Sequence, residues 1–522
     1  MTNPSPPSPP PRPARSARRP SPTVWTLKVD PRDLSVPRFR WRDWLREIRV
    51  SGSAGLFISL LVHSLLALVL TWIIVSHPDH SDPNPLLVSW LDPAATVPAT
   101  KRRPVQIPLE LSSPRRVSLS PPSSPAQQPV EPARGATVVR PAAVAGALDN
   151  RRLAALGAVE DWERHGGSAK AQAAIKAGLA WFARQQTSDG RWELHQGYPH
   201  AGASVIRTDT GATGLALLAF LGAGHSPATG EHATTVRKGL QWLIDTQDRQ
   251  TGDLHDLRQE EGRNASFYAH SLATIALCEA LAMTGDAEWL RPPARRAVEY
   301  LLRAQHPELG GWKYRPISQT MMGDLSVTGW ALMALHSARM ADLPVPDHEF
   351  ERASRFLDSV QVQQGARYKY EPLDPPQRVT PALTAEGILC RQWLGWPKDH
   401  PAMIDAVEWL TSDENRPEWT AGRRNLYAWY YTAQVLHNLG GPAWESWYPP
   451  VRDLLIKHQM AGGSTRAPHD VRGSWHPTQP PGTESEYGEK AGRLYVTALC
   501  LLILETPLRH KPLYESETGS SP

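Results

Sequence analysis

The sequence predicts an all-α protein: an α6–α6 toroid, or two-layer α/α barrel, preceded by a single transmembrane helix and disordered proline-rich segments. Three observations predict this organisation. Paired helical patterns recur through residues 168–515, residues 54–75 form one apolar run, and the 50 prolines are unevenly spread along the 522 residues. The repeats account for a folded domain, and the proline-rich tracts mark segments that lack a core.

Residues 1–50 are predicted to be a basic, proline-rich cytoplasmic tail. They carry eleven Lys or Arg and four Asp or Glu, and residues 1–22 alone contain nine prolines. A segment of this composition cannot bury enough apolar surface to fold, so we expect disorder. Residues 38–50 have the pattern of a short amphipathic helix beside the membrane.

Residues 54–75 are predicted to be a transmembrane helix. These 22 residues contain no Asp, Glu, Lys or Arg, and a membrane-spanning helix needs roughly 20 apolar residues. Basic residues precede the run, whereas residues 76–100 contain no Lys or Arg. The positive-inside rule then predicts a single-pass protein of the cell inner membrane, with a cytoplasmic N-terminus and a periplasmic or otherwise extracytoplasmic C-terminal domain.

Two polar residues, Ser59 and His63, lie one turn apart within this apolar run. An ionisable group in hydrocarbon is costly, and it is often functional for that reason. His63 is therefore either a neutral histidine that the helix tolerates or a contact to another membrane helix.

Residues 76–150 are predicted to be an extracytoplasmic linker. They are rich in Pro, Ser, Val and Ala and contain too few large apolar residues for a core. Extension of the polyproline type is expected in such a segment. The linker would hold the following domain away from the membrane.

Two kinds of helical segment alternate from residue 168 onward. The first kind is amphipathic and recurs about every 55 residues, which fits a helix, a turn, a second helix and a longer return. Its copies are GLAWF (178–182), GLQWL (239–243), AVEYL (297–301), ASRFL (353–357), AVEWL (406–410) and VRDLL (451–455).

The second kind of segment is apolar nearly all round and should be buried. Its copies are DTGATGLALLAF (209–220), SFYAHSLATIAL (266–277), DLSVTGWALMAL (324–335), TPALTAEGILCR (380–391), AWYYTAQVLHNL (428–439) and RLYVTALCLLIL (493–504). Six amphipathic outer helices around six apolar inner helices would form a closed barrel, because layering gives every apolar face a partner.

Similar turns end two of the outer segments. The stretch from Gln186 to Trp192 reads QTSDGRW, and Gln305 is followed by Gly310 and Trp312. These residues resemble the QW-type repeats of the terpene cyclase and protein prenyltransferase superfamily, and bacterial squalene-cyclase-like proteins look closest. The resemblance covers about residues 168–515. It implies the α6–α6 toroid, with a central cavity near the N-terminal ends of the inner helices.

Aligned polar residues in the first turns of the inner helices are candidates to line this cavity. Hydroxyls and carboxylates at helix starts are also common caps, so a polar pocket and a set of caps remain alternative interpretations. The candidates are Thr213, Tyr268, His270, Ser326, Thr328, Thr384, Glu386, Tyr430, Thr432, Arg493, Tyr495 and Thr497.

The catalytic motif that the resemblance implies for cyclases is incomplete. Those enzymes protonate an alkene with an acidic D-x-D-D-T motif. The matching residues here are Asp209, Gly211, Ala212 and Thr213, so the two later carboxylates are missing. Asp209 remains a candidate acid.

The zinc ligands that the resemblance implies for protein prenyltransferases are incomplete as well. Their Asp-x-Cys pair would match Asp324 and Ser326, and their histidine would match Val496. Two of three ligands are absent, and one aspartate does not hold zinc. Asp324 also remains a candidate acid, and we expect neither metal nor cofactor.

The sequence favours binding over catalysis. We expect a membrane-tethered extracytoplasmic binding or scaffolding protein, whose cavity or rim holds an apolar, isoprenoid-like ligand or a partner protein. The small net charge of +4 gives no case for nucleic acid. Two alternatives stay open. One is a divergent cyclase- or transferase-type enzyme with Asp209 or Asp324 as acid, and the other is a glycan-processing α/α-barrel enzyme that pairs Asp209, Asp324 and Glu386.

Overall fold

A computed structural model describes residues 162–163, 165–194, 206–255, 265–285, 288–315, 322–461 and 471–514. The predicted tail (1–50), transmembrane helix (54–75) and linker (76–150) lie outside the described residues, and so do Ser59 and His63. The following description therefore concerns the repeat domain.

Twelve helices alternate between an outer and an inner layer in the described part of the chain. The outer helices are α1 (Ala169–Gln185), α3 (Ala233–Thr246), α5 (Arg291–Ala304), α7 (Asp347–Val360), α9 (Pro401–Leu410) and α11 (Gly441–His458). The inner helices are α2 (Asp209–Gly222), α4 (Ser266–Thr284), α6 (Leu325–Met340), α8 (Pro381–Trp393), α10 (Leu426–Leu439) and α12 (Gly488–Leu504). A short helix, α13 (Thr506–Arg509), follows α12.

The inner helices form a closed ring. Each packs against the next in the order α2, α4, α6, α8, α10 and α12, and α12 packs against α2. Outer helices cover this ring, and α11 contacts α1 across the closure. The predicted all-α toroid is confirmed, because inner helices that are apolar all round find neighbours on every side.

Side-chain caps start four of the inner helices. The oxygens of Thr208, Asp324, Thr380 and Asn425 accept backbone N–H groups at the starts of α2, α6, α8 and α10 respectively. Such caps satisfy amide groups that have no partner inside the helix. At α2 the cap is Thr208, so the neighbouring Asp209 is left for another interaction.

A glutamine joins consecutive outer helices at four turns. Its side-chain nitrogen donates to a carbonyl of its own turn and to a carbonyl in the first turns of the next outer helix. These glutamines are Gln186, Gln247, Gln305 and Gln459, and the carbonyls on the next helices are those of Thr235, Pro293, Glu349 and Ala174. The sequence suggested two such turns, and the structure has four among the described residues.

The fourth repeat replaces this turn with a small hairpin. Strand β1 (Gln361–Val362) pairs antiparallel with β2 (Arg367–Tyr368), and the 3₁₀ helix Gln363–Gly365 connects them. Two further 3₁₀ helices, Asp413–Asn415 and Glu484–Glu486, precede α10 and α12. The two short strands are a local substitution within the helical architecture.

One described helix, α4, is long and apolar enough to cross a membrane, but 83% of its apolar window is buried within the domain. Its neighbours α2, α5 and α6 cover it. Packing inside the ring therefore accounts for its composition. The predicted membrane helix at 54–75 is a separate segment.

Candidate functional site: the inner ring and its apolar cavity

Five of the predicted site residues occupy equivalent positions in the inner helices and bind the turns that precede those helices. Thr213, Thr328, Thr384 and Thr497 accept hydrogen bonds through Oγ1, and His270 accepts through Nδ1. The donors are the backbone N–H groups of Trp192, Trp312, Tyr368, Trp475 and Leu254. These five side chains hold the repeat together, and Thr432 is the buried equivalent in α10.

The same turns explain why tryptophan recurs in the sequence. The indole Nε1 atoms of Trp192, Trp312 and Trp475 donate to the carbonyls of Phe182, Leu301 and Leu455 at distances of 2.8–2.9 Å. All three tryptophans are fully buried. Each one ties the end of an outer helix to the following inner helix, so this pattern is structural.

A buried polar chain runs from Tyr268 to Asp324. The Ser326 hydroxyl donates to Asp324 Oδ1 at 2.7 Å, and the Tyr268 hydroxyl lies 2.5 Å from Ser326 Oγ. Because the serine proton is directed at the carboxylate, the tyrosine is the donor to the serine. The Tyr268 hydroxyl is therefore hydrogen-bonded to the first turn of α6.

Lys313 completes this network, although the sequence did not single it out. Its ammonium nitrogen is 3.4 Å from Asp324 Oδ2 and 3.0 Å from Glu371 Oε2. Burial raises the pKa of Asp324, and the opposing effect of Lys313 is smaller. Asp324 is thus a helix cap and an ion-pair partner within the wall.

Asp209 is held by an arginine. Arg191 Nε donates to Asp209 Oδ2 at 3.0 Å, and the same guanidinium binds Glu193 at 2.6 Å. The Asp209 side chain is 8% exposed, so this pairing offsets much of the cost of burying its charge. Neither of the two neighbouring carboxylates of the cyclase motif stands beside Asp209 on α2.

Glu386 lies in a separate, more apolar environment. It is fully buried in α8, where the hydroxyl of Tyr427 lies 3.5 Å from its Oε2 atom. Burial raises its pKa well above the ordinary value. The structure thus gives the three candidate carboxylates different partners: Arg191 for Asp209, Lys313 for Asp324 and Tyr427 for Glu386.

Three further predicted residues have distinct surroundings. Arg493 is 1% exposed and donates to Ser474 Oγ at 3.0 Å. Tyr430 stacks on Trp330 with ring centroids 5.6 Å apart. Tyr495 lines a cavity together with Tyr268. Of the twelve predicted cavity residues, Tyr268 and Tyr495 are the ones that this cavity brings together.

The cavity lies at the N-terminal ends of α2, α4, α10 and α12, where the resemblance implied it. Its volume is about 80 Å³, and its surface is almost entirely apolar. The lining includes Leu215, Ala269, Leu272, Trp330, Tyr427, Ala491 and Tyr495. Tyrosine rings contribute most of the aromatic wall, whereas the Tyr268 hydroxyl is engaged by Ser326. Trp330 and Tyr427 were absent from the sequence prediction. That prediction selected aligned positions that carry polar residues in several repeats, and neither of these two residues lies at such a position.

Within the described residues there is no group of three or more His, Cys, Asp or Glu that could hold a metal ion. Cys278, Cys390 and Cys500 are free and buried. The described geometry offers apolar contacts in the cavity and ion pairs in the surrounding wall.

Fold and cavity together define a class, the α6–α6 toroids with an aromatic central cavity. A curated protein, the probable squalene–hopene cyclase of Sinorhizobium fredii, is 25% identical over 304 residues, which cover 51% of this chain and 45% of that protein. The chain thus spans less than half the length of the curated relative it matches. The resemblance to the terpene cyclase superfamily is confirmed by this relative, while no family model matches the chain.

Several solved structures are similar to part of this chain, with TM-scores below 0.5. The GH76A α-1,6-mannanase of Salegentibacter sp. HEL1_6 matches with a TM-score of 0.42 and 13% identity, over 64% of this chain and 98% of that one. The type II terpene cyclase MstE from Scytonema matches with a TM-score of 0.40 and 15% identity, over 65% and 98%. The cellobiose 2-epimerase of Bacillus thermoamylovorans matches with a TM-score of 0.43 and 12% identity, over 63% and 96%.

Proposed function

We propose that this chain is a membrane-tethered extracytoplasmic binding module whose ring accepts an apolar, isoprenoid-like chain. The observation that carries the proposal is the cavity between α2, α4, α10 and α12, which is walled by Tyr and Trp rings and by aliphatic side chains. Ligand sites are typically concave and mainly apolar, and such a surface favours hydrocarbon over polar groups.

The size of the cavity limits what it can enclose. About 80 Å³ is small beside the roughly 300–1,000 Å³ of sites that bury a drug-sized ligand. One end of a linear chain fits this volume better than a whole polycyclic molecule does. The rest of such a ligand, or of a partner protein, would lie at the rim.

The candidate acids support binding over proton transfer. Protonating an alkene requires a strong, neutral carboxylic acid close to the substrate. Asp209 is paired with Arg191, and Asp324 is paired with Lys313 while it caps α6. Paired carboxylates accept hydrogen bonds, so neither residue is arranged as a proton donor to the cavity.

The proposed placement rests on the sequence. The run at 54–75 anchors the chain in the inner membrane, and the excess of basic residues before it keeps the N-terminus in the cytoplasm. The toroid then lies outside the cytoplasm at the end of the 76–150 linker. An anchored module of this kind is held close to the lipids that it would bind.

A photoactivatable geranylgeranyl probe tests the binding proposal on the full-length protein in nanodiscs. Ala269→Trp fills the cavity, because Ala269 lines it and is fully buried. Ala173→Trp is the control, because Ala173 is exposed on α1. We expect crosslinks at Leu215 or Leu272, and labelling at least tenfold weaker in A269W than in A173W. Equal labelling of the two variants would refute the proposal.

A cyclase-type enzyme is the second candidate, because the curated relative is a probable squalene–hopene cyclase. Asp209→Asn and Asp324→Asn separate the two functions. Under the binding proposal both variants keep the crosslink, and incubation of the wild type with linear polyprenes yields no cyclised product. Formation of a cyclised product that either variant abolishes would establish catalysis instead.

A further inference from the structure

A second cavity lies at the opposite end of the ring, where the inner helices finish. Its lining comes from the last turns of α6, α8 and α10 and from the segment that starts at α13. The side chains that matter here are His336, Trp393, Gln434, His437, Arg509 and Lys511. The volume is about 80 Å³, which is room for several water-sized groups, since one water needs roughly 10–15 Å³.

Three polar side chains at this cavity each have a nitrogen atom without a hydrogen-bond partner in the part of the chain that the structure describes. Gln434 and His437 are 7% and 3% exposed, and the Nε2 atom of each has no hydrogen-bond partner among the described residues. The Nε2 atom of His336 also has no hydrogen-bond partner within the described ranges. A buried polar atom without a partner costs on the order of 1–3 kcal/mol, so three around one cavity point to a polar ligand.

The charges around the cavity favour a neutral ligand. Arg509 Nη2 lies 3.1 Å from Glu279 Oε1, and Glu505 lies 3.9 Å from the same guanidinium, so the buried arginine is already offset. Burial lowers the pKa of His336 to about 4 and that of His437 to about 3. Arg339 also lowers the pKa of His336, where Glu279 opposes the shift, and His165 also lowers the pKa of His437.

Both imidazoles are therefore neutral at pH 7, and the remaining cation of the lining, Lys511, is solvent-exposed. A charged ligand would lose hydration in this cavity, and the lining offers it no charge that is both buried and unpaired. A neutral ligand avoids that cost.

The aromatic surface narrows the ligand class further. Trp393 and His336 stack with ring centroids 5.3 Å apart and planes 20° apart, which presents a flat apolar wall beside the nitrogen atoms. A hydroxyl group both donates and accepts, so it can bind an amide N–H and either tautomer of an imidazole. We propose that this cavity binds a small neutral polyhydroxylated ligand of polyol or monosaccharide chemistry, independently of the apolar cavity.

Saturation-transfer difference NMR on the full-length protein in nanodiscs tests this proposal. Glycerol and glucose are the probes, and acetate and tetramethylammonium are their charged counterparts. We expect saturation transfer to glycerol or glucose, a loss of at least fivefold in the near-isosteric Gln434→Met, and no change in Gln172→Met, which alters an exposed glutamine of α1.

His437→Phe gives a second test of the same cavity if Gln434→Met does not fold, as judged by circular dichroism. The proposal is overturned if both cavity variants behave like Gln172→Met, or if acetate or tetramethylammonium binds more strongly than the polyols. Ala269→Trp should leave the polyol signal unchanged, because that residue lines the apolar cavity at the other end of the ring. The two proposals can therefore fail separately.

Discussion

Glu386 is a carboxyl group surrounded by apolar and aromatic neighbours. Its side chain lies against α6, where a Cβ atom built on Gly329 would be 2.1 Å from Glu386 Oε1. Burial raises the pKa of Glu386 well above its usual range, and the negative charge of Asp324 acts in the same direction. Glycine at 329 is thus what makes room for a buried carboxyl group in the wall of the ring.

Glu386→Gln should stabilise the protein at pH 7 more than at pH 4. Because the folded-state pKa is raised, the unfolded chain releases this proton above its ordinary pKa of 4.5 while the folded protein keeps it. The carboxyl group therefore costs stability as the pH rises, by about 1.4 kcal/mol for each unit of pKa elevation. Urea unfolding at the two pH values measures the difference.

Glu351→Gln is the control for this measurement, because Glu351 is exposed on α7. Its effect on the free energy of unfolding should be small at both pH values. If Glu386→Gln changes the free energy equally at pH 4 and pH 7, the carboxyl group does not titrate as its burial implies.

At the scale of elements, the glutamine turn that follows four of the outer helices determines how consecutive repeats dock. At Gly310 the backbone has φ +78°, and a Cβ there would lie 1.8 Å from the carbonyl oxygen of Arg352 in α7. Gln305 Nε2 donates to Gly310 O at 2.8 Å and to Glu349 O at 3.0 Å. A left-handed glycine and a bridging amide therefore bring α5 and α7 together.

Gly310→Ala should destabilise the protein more than Gly285→Ala does. Both glycines have positive φ, so both variants incur the left-handed strain of about 1 kcal/mol. Gly285 has open space around its missing Cβ, whereas Gly310 faces the Arg352 carbonyl. We expect Gly310→Ala to lower the free energy of unfolding by about 1–3 kcal/mol more than Gly285→Ala does, as overpacking of a core does. Thermal unfolding compares the stability of the two variants. Equal losses would show that α7 shifts to accommodate the added methyl group without a measurable cost.

At the scale of the molecule, closure makes the first and last repeats neighbours. Gln459 Nε2, at the end of α11, donates to Ala174 O in α1 at 2.8 Å. The last short helix adds a second link, because Arg509 donates to Leu218 O at 2.8 Å and binds Glu279. Residues nearly 300 positions apart thus depend on each other.

Gln459→Met should lower stability by about 1–3 kcal/mol, because it removes two partly buried hydrogen bonds worth about 0.5–1.5 kcal/mol each. The matched variant is Gln186→Met, which breaks the same pair of partly buried bonds between α1 and α3 inside the ring. In a closed ring the two losses should be similar, with faster hydrogen exchange in α1 for Gln459→Met. A negligible effect of Gln459→Met would indicate that the junction between α11 and α1 contributes little.

The sequence by itself determined the elements and their layering. Apolar runs such as 209–220 and 266–277 could only be buried helices, and the charged faces of segments such as 297–301 assigned them to the outside. The Gln–Gly–Trp turn could be recognised in the sequence because it needs particular residue types at a fixed spacing. These are local properties, and local physics decides them.

Only the tertiary structure decided what the polar residues do. Thr213 and Thr328 appear beside the cavity in an alignment, yet their hydroxyls bind the N–H groups of Trp192 and Trp312. Lys313, which forms an ion pair with Asp324, lies in a preceding turn that no sequence pattern singles out. A side chain's partner depends on distances between segments far apart in the chain, and those distances are fixed only when the ring closes.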